Sequence, residues 1–289
     1  LQPEPANEIR NAIKTFALEH GLDFFNHREQ KGFLRSLMIR NSSHGEFMVL
    51  IQFFKENKTQ REALLEHLKK HFDITSLLYC INSKANDTLY DQEIICYDGK
   101  TFIMEEMEGL NFKINAKSFF QTNTEQAYEL YKITRDFAGL EGKELVYDLY
   151  TGTGTIAQFI AKDCNRVVGV ESVPEAIEAA NTNAKENGIK NAFFEVGDMR
   201  RVFNQDFINR HGKANVVIAD PPRNGMHPAV VKQLLFLQPE KIVYVSCNPS
   251  TQARDLFLMK DHYKLVRSKA IDLFPQTQHV ENVVLLEKI

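Results

Sequence analysis

Two short β-branched segments each end in a polar, proline-containing loop whose side chains are able to do chemistry. Residues 214–219 lead into an Asp-Pro-Pro-Arg sequence that begins at Asp220, and residues 241–245 lead into Ser-Cys-Asn-Pro, which contains Cys247. Both segments have the length and composition of buried strands, and the strand ends of an open α/β sheet face its ligand crevice. We therefore expect a carboxylate and a cysteine at one ligand site, where a thiolate is a nucleophile.

A third predicted strand, residues 144–149, runs into a glycine-rich loop. The loop contains Tyr150, Gly152, Gly154 and Thr155 and is followed by a predicted helix. Glycine lets the backbone pass close to a ligand and take conformations that are closed to other residues. The Asp-x-x-x-Gly-x-Gly pattern lacks the third glycine of the dinucleotide fingerprint, so on its own it is also compatible with an ordinary turn.

Two acidic residues follow the next two predicted strands. Residues 166–170 lead to Glu171, at about the distance from the glycine-rich loop where a carboxylate meets ribose hydroxyls in Rossmann-like folds. Residues 192–196 lead to Asp198, whose carboxylate or neighbouring amides are placed to meet an adenine edge. An Asp after Gly is also a common turn or cap residue, so Asp198 alone identifies no ligand.

The order of the predicted elements divides the chain into two domains. Residues 1–115 combine helices at 4–19 and 59–71 with a hairpin and further strands, which predicts a smaller α+β domain. Strands and helices alternate over residues 116–289, which predicts a Rossmann-like α/β domain with a doubly wound sheet. A chain of 289 residues with 43% hydrophobic residues can bury two ordinary cores.

Composition and spacing exclude several classes of protein. The net charge of -3 gives no global electrostatic reason to expect a nucleic-acid partner, although a local basic face remains compatible with one. The 4 cysteines form no CxxC pair and lack zinc or iron-sulfur spacing, so no metal is expected. The sequence contains no secretory signal, no apolar run of about 18 residues and no lipidation motif. We therefore expect no membrane partner and a cytoplasmic location.

These spacings together resemble those of S-adenosylmethionine methyltransferases. The pairing of the two proline-containing loops makes the chain similar to RNA 5-methyluridine (uracil-C5) methyltransferases. Further matches are residues 118–123, Ser-Phe-Phe-Gln-Thr-Asn, and residues 272–281, Asp-Leu-Phe-Pro-Gln-Thr-Gln-His-Val-Glu. The resemblance is strong from residue 110 onward and covers the earlier residues in outline. Two departures are Asn224, where a basic residue is common, and Gln278, where proline is common.

The resemblance implies a fold, a cofactor, a reaction and a set of site residues. It implies a Rossmann-like methyltransferase sheet that binds S-adenosyl-L-methionine, with Cys247 adding to C6 of uracil and Glu281 removing the C5 proton. Without the motifs, Cys247 would be interpreted as a buried core thiol and Glu281 as a surface carboxylate paired with a lysine. The matching cofactor positions are Gln121, Tyr150, Gly152, Gly154, Thr155, Glu171, Asp198 and Asp220, and the matching substrate positions are Arg223 and Asp220.

RNA is the implied partner, with ribosomal RNA favoured, transfer RNA open and a monomeric protein expected. The target carbon is inaccessible in a stacked helix, so we expect the uridine to be flipped into the crevice. Arg223 and the basic stretch 260–269 are candidate phosphate contacts, although a basic stretch is also compatible with a solvated helix or strand face. The sequence begins at Leu1 rather than Met, and we expect a preceding segment. In relatives this segment is a small RNA-gripping β-barrel, with an iron-sulfur cluster nearby in some of them.

Three alternative functions stay open from the sequence. Methylation at cytosine C5 uses the same thiol chemistry, but enzymes of that class generally place a second cysteine after the Pro that follows Asp220. Methylation of an exocyclic nitrogen generally requires an aromatic residue where Arg223 stands. A non-catalytic RNA-binding module would require Cys247 or Glu281 to be misplaced.

Overall fold

The computed structural model describes residues 2–289, which form two compact units. One unit contains the residues up to Glu106 together with Phe112–Ser118. The other contains Met107–Asn111 and Phe119–Ile289. The predicted division into an α+β domain at residues 1–115 and a Rossmann-like domain at residues 116–289 stays a prediction.

The first unit packs two amphipathic helices on a sheet. Its helices and strands are α1 (Ala6–Glu19), β1 (Leu34–Asn41), β2 (Phe47–Phe53), α2 (Lys58–His71), β3 (Ser76–Ile81) and β4 (Ile95–Gly99). The four-stranded sheet has the order β1-β2-β3-β4, with β1 and β2 as the predicted antiparallel hairpin and β2 parallel to β3. Ile9, Ile13, Leu64 and Leu68 lie in the core of this unit, as the 3.6-residue period predicts. A two-stranded sheet of β5 (Phe102–Met107) and β6 (Leu110–Asn115) follows.

The second unit alternates strands and helices. Its elements are α3 (Thr124–Ala138), β7 (Leu145–Leu149), α4 (Thr155–Ile160), β8 (Arg166–Glu171), α5 (Pro174–Glu186), β9 (Ala192–Val196), α6 (Gln205–His211), β10 (Val216–Ala219), α7 (Pro228–Leu237), β11 (Lys241–Ser246), α8 (Pro249–Met259), β12 (Tyr263–Ile271) and β13 (Glu281–Lys288). None of the helices in residues 2–289 combines the length and apolarity that crossing a bilayer requires.

The sheet of the second unit is doubly wound. Its seven strands have the order β12-β13-β11-β10-β7-β8-β9. The strands from β11 to β9 are parallel, whereas β13 is antiparallel to both β11 and β12. The chain order reverses at β7, which lies between β10 and β8, and ligands bind at such a switch point outside the carboxyl ends of the strands. The predicted Rossmann-like fold class is confirmed.

The central strands are buried on both faces. Every residue of β10 and all but the first residue of β7 are buried, because parallel strands are covered by helices on both sides. Tyr147 of β7 packs against the rings of Phe203 and Phe207, with centroids 5.7 Å and 5.2 Å away. Each such buried side chain contributes roughly 1.5–3 kcal/mol. This packed centre fixes where the strands end, and therefore where the loops that follow them lie.

Candidate active site

Three loops of the second unit meet at the carboxyl ends of neighbouring parallel strands. Leu149 of β7 is paired with Ala219 of β10, which in turn is paired with Tyr244 of β11. The amide of Asp220 donates to the carbonyl of Leu149 at 3.3 Å, which joins the ends of β7 and β10. The glycine-rich loop, Asp220 and the segment that contains Cys247 therefore lie at one edge of the sheet.

The register of β11 and β13 sets Cys247 opposite Glu281. These strands are antiparallel, and the last pair of their ladder is Ser246 with Asn282. Cys247 follows Ser246 and Glu281 precedes Asn282, so one further step of the same register brings Cys247 and Glu281 face to face. A thiol and a carboxyl group in this arrangement can serve as nucleophile and base towards one bound molecule.

The Cys247 thiol is half-buried among charged groups. Burial and the neighbouring carboxyl groups of Glu281 and Asp220 raise the pKa of this thiol, whereas the Arg223 guanidinium lowers it. A raised pKa favours the thiol over the thiolate, which is the nucleophilic form. A positive charge bound beside these carboxyl groups would therefore favour the thiolate.

Three carboxyl groups are crowded at this end of the sheet. Burial, followed by the charges of Glu281 and Asp148, raises the pKa of Asp220 to about 8. Burial also raises the pKa of Glu281, against the opposing effect of Arg223. The pKa of Asp148 is raised to about 7 by burial, and the charge of Glu171 adds to this effect. Carboxyl groups in such surroundings favour their neutral forms until a cation approaches.

Asp148 has one carboxyl oxygen without a hydrogen-bond partner. The residue is 1% exposed, and its Oδ2 accepts a hydrogen bond from the Thr151 hydroxyl. Its Oδ1 is buried and makes no hydrogen bond within the described part of the chain, although the backbone amide of Ala157 lies near the carboxyl group and lowers its pKa. Leaving a buried acceptor unpaired costs free energy, so this atom is a candidate contact for a cationic or donating ligand. Asp148 is a candidate site residue that the motifs in the sequence did not indicate, although it is the Asp of the Asp-x-x-x-Gly-x-Gly pattern.

The glycine-rich loop is packed on one side and open on another. Tyr150, Gly152 and Gly154 all have left-handed backbone, with φ of 61°, 55° and 76°. A Cβ at Gly154 would lie 2.7 Å from the Phe194 ring, whereas a Cβ at Gly152 would meet nothing within 4 Å. Gly154 is therefore needed for packing, and the open side of Gly152 leaves room for a ligand. The φ of Tyr150 is uncommon for a residue with a side chain, and such backbone clusters at functional sites.

Glu171 and Thr155 border the glycine-rich loop. Glu171 is the last residue of β8, and its carboxylate accepts hydrogen bonds from the amides of Gly152 at 3.3 Å and Ser172 at 2.6 Å. These bonds fix the carboxylate beside the loop, where it can also accept from hydroxyl donors. Thr155 is the first residue of α4, and its hydroxyl lies 3.3 Å from that of Thr153.

Asp198 follows β9 and Gln121 precedes α3 in the same unit. The Asp198 carboxylate pairs with Arg200 at 2.7 Å, which lowers the pKa of Asp198 to about 2. The predicted contact of Asp198 with an adenine edge stays a prediction. Gln121 is half-buried and comes two residues before Asn123, which caps α3 and donates from Nδ2 to the carbonyl of Leu273 at 2.9 Å. Asn123 and Leu273 belong to two different sequence motifs and are 150 positions apart, so this hydrogen bond brings the two motifs together.

Arg223 links the loop after β10 to the loop before β13. Its Nη2 lies 2.8 Å from Nδ1 of His279, and its carbonyl accepts a hydrogen bond from Nδ2 of Asn248 at 3.2 Å. The next residue, Asn224, is bonded to α8, because Arg254 of that helix donates to the carbonyl of Asn224 at 2.9 Å. The Arg223 side chain is exposed to solvent. Its positive charge is close enough to Cys247 to lower the pKa of the thiol.

The basic stretch 260–269 lies mainly along β12, the exposed edge strand of the sheet. Arg267 pairs with Asp136 at 2.8 Å, and Lys264 pairs with Glu287 at 3.7 Å. These ion pairs are typical of a solvated strand face, and phosphate contacts by this stretch stay a prediction. Within the described chain, no group of three or more His, Cys, Asp or Glu side chains is arranged to hold a metal ion.

Comparison with known proteins finds relatives that match almost the whole chain. The family model described as tRNA (Uracil-5-)-methyltransferase matches residues 41–289. A Porphyromonas gingivalis protein described as an uncharacterized RNA methyltransferase is 56% identical over 291 residues, covering 99% of this chain and 63% of that protein. The crystal structure of Pyrococcus abyssi tRNA (uracil-54, C5)-methyltransferase in complex with S-adenosyl-L-homocysteine is similar with a TM-score of 0.79 and 35% identity, covering 96% of this chain and 65% of that one.

A more distant structure is similar in fold alone. M. jannaschii tRNA m1G37 methyltransferase has a TM-score of 0.55 at 17% identity, covering 91% of this chain and 78% of that one. The chain spans less than two thirds of the length of the Porphyromonas relative and of the Pyrococcus chain. Since the family model matches most of the sequence, from residue 41 to residue 289, the chain belongs to the tRNA (uracil-5-)-methyltransferase family.

Proposed function

We propose that the protein is an S-adenosylmethionine-dependent RNA methyltransferase that methylates C5 of uridine. The observation that carries this proposal is the register of β11 and β13, which sets Cys247 opposite Glu281. Asp220 and the glycine-rich loop lie at the same edge of the sheet. Membership of the uracil-5-methyltransferase family supports the same reaction.

Covalent catalysis by Cys247 overcomes the weak nucleophilicity of uracil C5. The sulfur forms a bond to C6, and the C5=C6 π electrons move onto the O4 carbonyl, which gives an enolate with carbanion character at C5. S-adenosylmethionine, when bound, supplies the electrophilic methyl group that this carbon takes. Glu281 then removes the C5 proton, the C5=C6 double bond forms again, and the sulfur leaves with the electrons of the S–C6 bond.

The residues present fit a cofactor with a positive charge and a ribose. The buried, unpartnered Oδ1 of Asp148 and the raised pKa of Asp220 favour a cationic ligand beside them. Glu171 is assigned to the ribose hydroxyls, because its carboxylate is fixed beside the glycine-rich loop. The other proposed cofactor contacts are Gln121, Tyr150, Gly152, Gly154, Thr155 and Asp198.

Ribosomal RNA is the proposed substrate, and the exposed Arg223 is the proposed contact with an RNA phosphate. Transfer RNA is the second candidate, because the Pyrococcus protein at 35% identity is a tRNA (uracil-54, C5)-methyltransferase. Incubation of the protein with each purified RNA and cofactor labelled in the methyl group, followed by nucleoside analysis, distinguishes them. Labelled 5-methyluridine in transfer RNA alone would refute the ribosomal assignment.

The covalent step is tested with RNA that contains 5-fluorouridine. Fluorine at C5 blocks the final proton removal, so the protein should remain attached to the RNA on a denaturing gel when S-adenosylmethionine is present. Cys247→Ala should abolish this band, whereas Cys96→Ala, which removes another half-buried thiol, should retain it. A folded, cofactor-binding protein that gives no adduct, or an adduct that survives Cys247→Ala, would overturn the mechanism.

A further inference from the structure

A pair of hydrogen-bonded amide side chains, the buried Gln252 and the half-buried Asn282, ties β11, the strand before Cys247, to β13, which begins at Glu281. Gln252 lies in α8 and is 2% exposed. Its Nε2 donates to the carbonyl of Tyr244 at 2.9 Å and to the carbonyl of Asn282 at 3.1 Å. Its Oε1 accepts from Nδ2 of Asn282 at 2.6 Å. One glutamine therefore holds the backbones of β11 and β13 as well as the Asn282 side chain.

Asn282 continues these contacts to the edge of the sheet. Its Oδ1 accepts a hydrogen bond from the Ser268 hydroxyl of β12 at 3.1 Å. Asn282 is also the ladder partner of Ser246 and the direct neighbour of Glu281. A continuous set of hydrogen bonds thus runs from α8 through β13 to β12, and it passes beside the proposed base.

Gln252 lies close to the nucleophile along the chain, in the first turns of the helix that follows Cys247. Its amide donates to the carbonyl of Asn248 at 3.1 Å, within the first turn of α8. The Asn248 side chain caps this helix by accepting from the amide of Ser250 at 3.1 Å. Cys247 immediately precedes this cap. The amide pair therefore lies one helical turn beyond the nucleophile and one residue beyond the base.

The two halves of the proposed reaction depend differently on this geometry. Addition requires only that Cys247 reach C6, whereas elimination requires that Glu281 reach the C5 proton of a ring already held by the S–C6 bond. A displacement of about 1 Å in such a geometry can cost on the order of 100-fold in rate. An amide pair whose groups bond to each other and to the backbone restricts such displacement, because any shift leaves polar groups of the buried Gln252 unpaired in a low dielectric.

We propose that the Gln252–Asn282 pair is a positioning device that holds Glu281 at the distance from Cys247 that removal of the C5 proton requires. This inference rests on the proposed uracil-C5 methyltransferase function. Loss of the pair slows elimination more than addition, so the covalent protein–RNA adduct accumulates on ordinary RNA. A residue that only stabilised the fold would lower the total activity without changing how the enzyme is distributed between free and covalent forms.

The test measures that distribution in variants of the pair. Gln252→Leu, Asn282→Leu and the double variant are mixed with unmodified uridine RNA and S-adenosylmethionine, and the methylated adduct is quantified on a denaturing gel. We expect on the order of tenfold more adduct at steady state than for the unaltered protein. The double variant should show no more than either single variant, because partners that act as a unit are not additive. Glu281→Gln, which lacks the base, provides the reference for blocked elimination.

Tyr263→Phe is the matched control. The Tyr263 hydroxyl donates to the carbonyl of Pro239 at 2.9 Å, and Tyr263 pairs with Lys288 at the opposite end of β12 and β13. This variant loses one buried hydrogen bond from the same sheet, so its melting temperature should fall without any gain of adduct.

Three outcomes separate the possible failures. If Gln252→Leu loses activity in proportion to its stability and gains no adduct, the positioning role is refuted. If Gln252→Leu does not fold, the same result for Asn282→Leu refutes the positioning role. If the unaltered protein forms no adduct even with 5-fluorouridine RNA, the proposed function itself fails, and this result is distinct from a failure of the positioning role.

Discussion

Binding of S-adenosylmethionine is expected to release protons from the protein near neutral pH. Burial and neighbouring charges raise the pKa of Asp148 to about 7 and that of Asp220 to about 8. The sulfonium and ammonium groups of the cofactor favour the ionised carboxylates and therefore lower both pKa values. Because protons leave when the ligand binds, the affinity for the cofactor should rise with pH and level off once both groups are ionised without it.

The size of this effect follows from the two pKa values. At pH 7 a group with a pKa of about 8 is about 90% protonated, and a group with a pKa of about 7 is about half protonated. Complete ionisation of both Asp220 and Asp148 would release about 1.4 protons per cofactor, and ionisation of Asp148 alone about 0.5. At pH 9 the expected release falls to about 0.1 proton, because both groups are already ionised.

Calorimetric titration in buffers of different ionisation enthalpy measures the release directly. The observed binding enthalpy should vary linearly with the buffer enthalpy, and the slope gives the number of protons. Asp148→Asn should lower the number at pH 7 by about half a proton. S-adenosylhomocysteine, whose thioether carries no charge, should release fewer protons than the methyl donor. Zero release at pH 7, or equal release at pH 7 and pH 9, would refute the assignment of these carboxyl groups to the cofactor site.

The raised pKa of Asp148 also predicts how the stability of the ligand-free protein depends on pH. The pKa of Asp148 is about 7 in the folded protein, raised from its ordinary value of 3.8, so the stabilising effect of its neutral form is complete below about pH 4 and is lost as the pH rises through 7. A difference of about three units corresponds to at most about 4 kcal/mol. Asp148→Asn should therefore raise the free energy of unfolding in urea at pH 8 and change it little at pH 4. A variant that is equally destabilised at both pH values would contradict the raised pKa.

Three further measurements test the base, the thiol and the glycine-rich loop. Glu281→Gln should methylate ordinary RNA once and remain attached to it, with turnover lower by about 10²–10⁴-fold because the base is absent; near-normal release of labelled RNA would contradict its role. Alkylation of Cys247 by iodoacetamide should keep accelerating at pH values where a free cysteine has already reached its plateau, because burial and the nearby carboxyl groups raise the pKa of the Cys247 thiol; a plateau at the same pH as a free cysteine, or at a lower pH, would disprove this. Gly154→Ala should lower the free energy of unfolding by about 1–3 kcal/mol, because its Cβ would lie 2.7 Å from the Phe194 ring. Gly152→Ala, at a similar φ but in open space, should lose less stability and more cofactor affinity, and equal losses of stability in urea would argue against the packing role of Gly154.

Local sequence signals predicted the alternation of strands and helices in the second unit. Proline at the start of α5 and glycine just after its end marked that helix, and β11 was predicted to within one residue of its observed end at Ser246. The strand predicted at 214–219 is shorter in the structure, where β10 begins at Val216. At Asn215 a side-chain oxygen replaces a backbone acceptor, because Oδ1 accepts from the amide of Leu145 at 2.9 Å, while the Asn215 amide donates to the carbonyl of Leu145 at 2.9 Å.

Contacts between residues that are distant in the chain could not be predicted from the sequence. The motifs indicated Cys247 and Glu281 as site residues, but it is the register of β11 and β13 that sets them opposite each other. That register depends on which strands become neighbours in the sheet. The Gln252–Asn282 pair depends on the same pairing together with the approach of α8. Such partners are set by tertiary packing and leave no periodic signal in one sequence.

The proposed nucleophile and base are held in different ways, and the difference fits their steps. Glu281 is the first residue of β13 and is 5% exposed, so its carboxyl group has little freedom to move. Cys247 lies just before Asn248, the N-cap of the 11-residue helix α8, and a helix N-terminus stabilises a thiolate. This opposes the charges of Glu281 and Asp220, which raise the pKa of the thiol. Addition and elimination require a sulfur that can approach and leave C6, whereas the C5 proton is already placed by the S–C6 bond and is best removed by a fixed base.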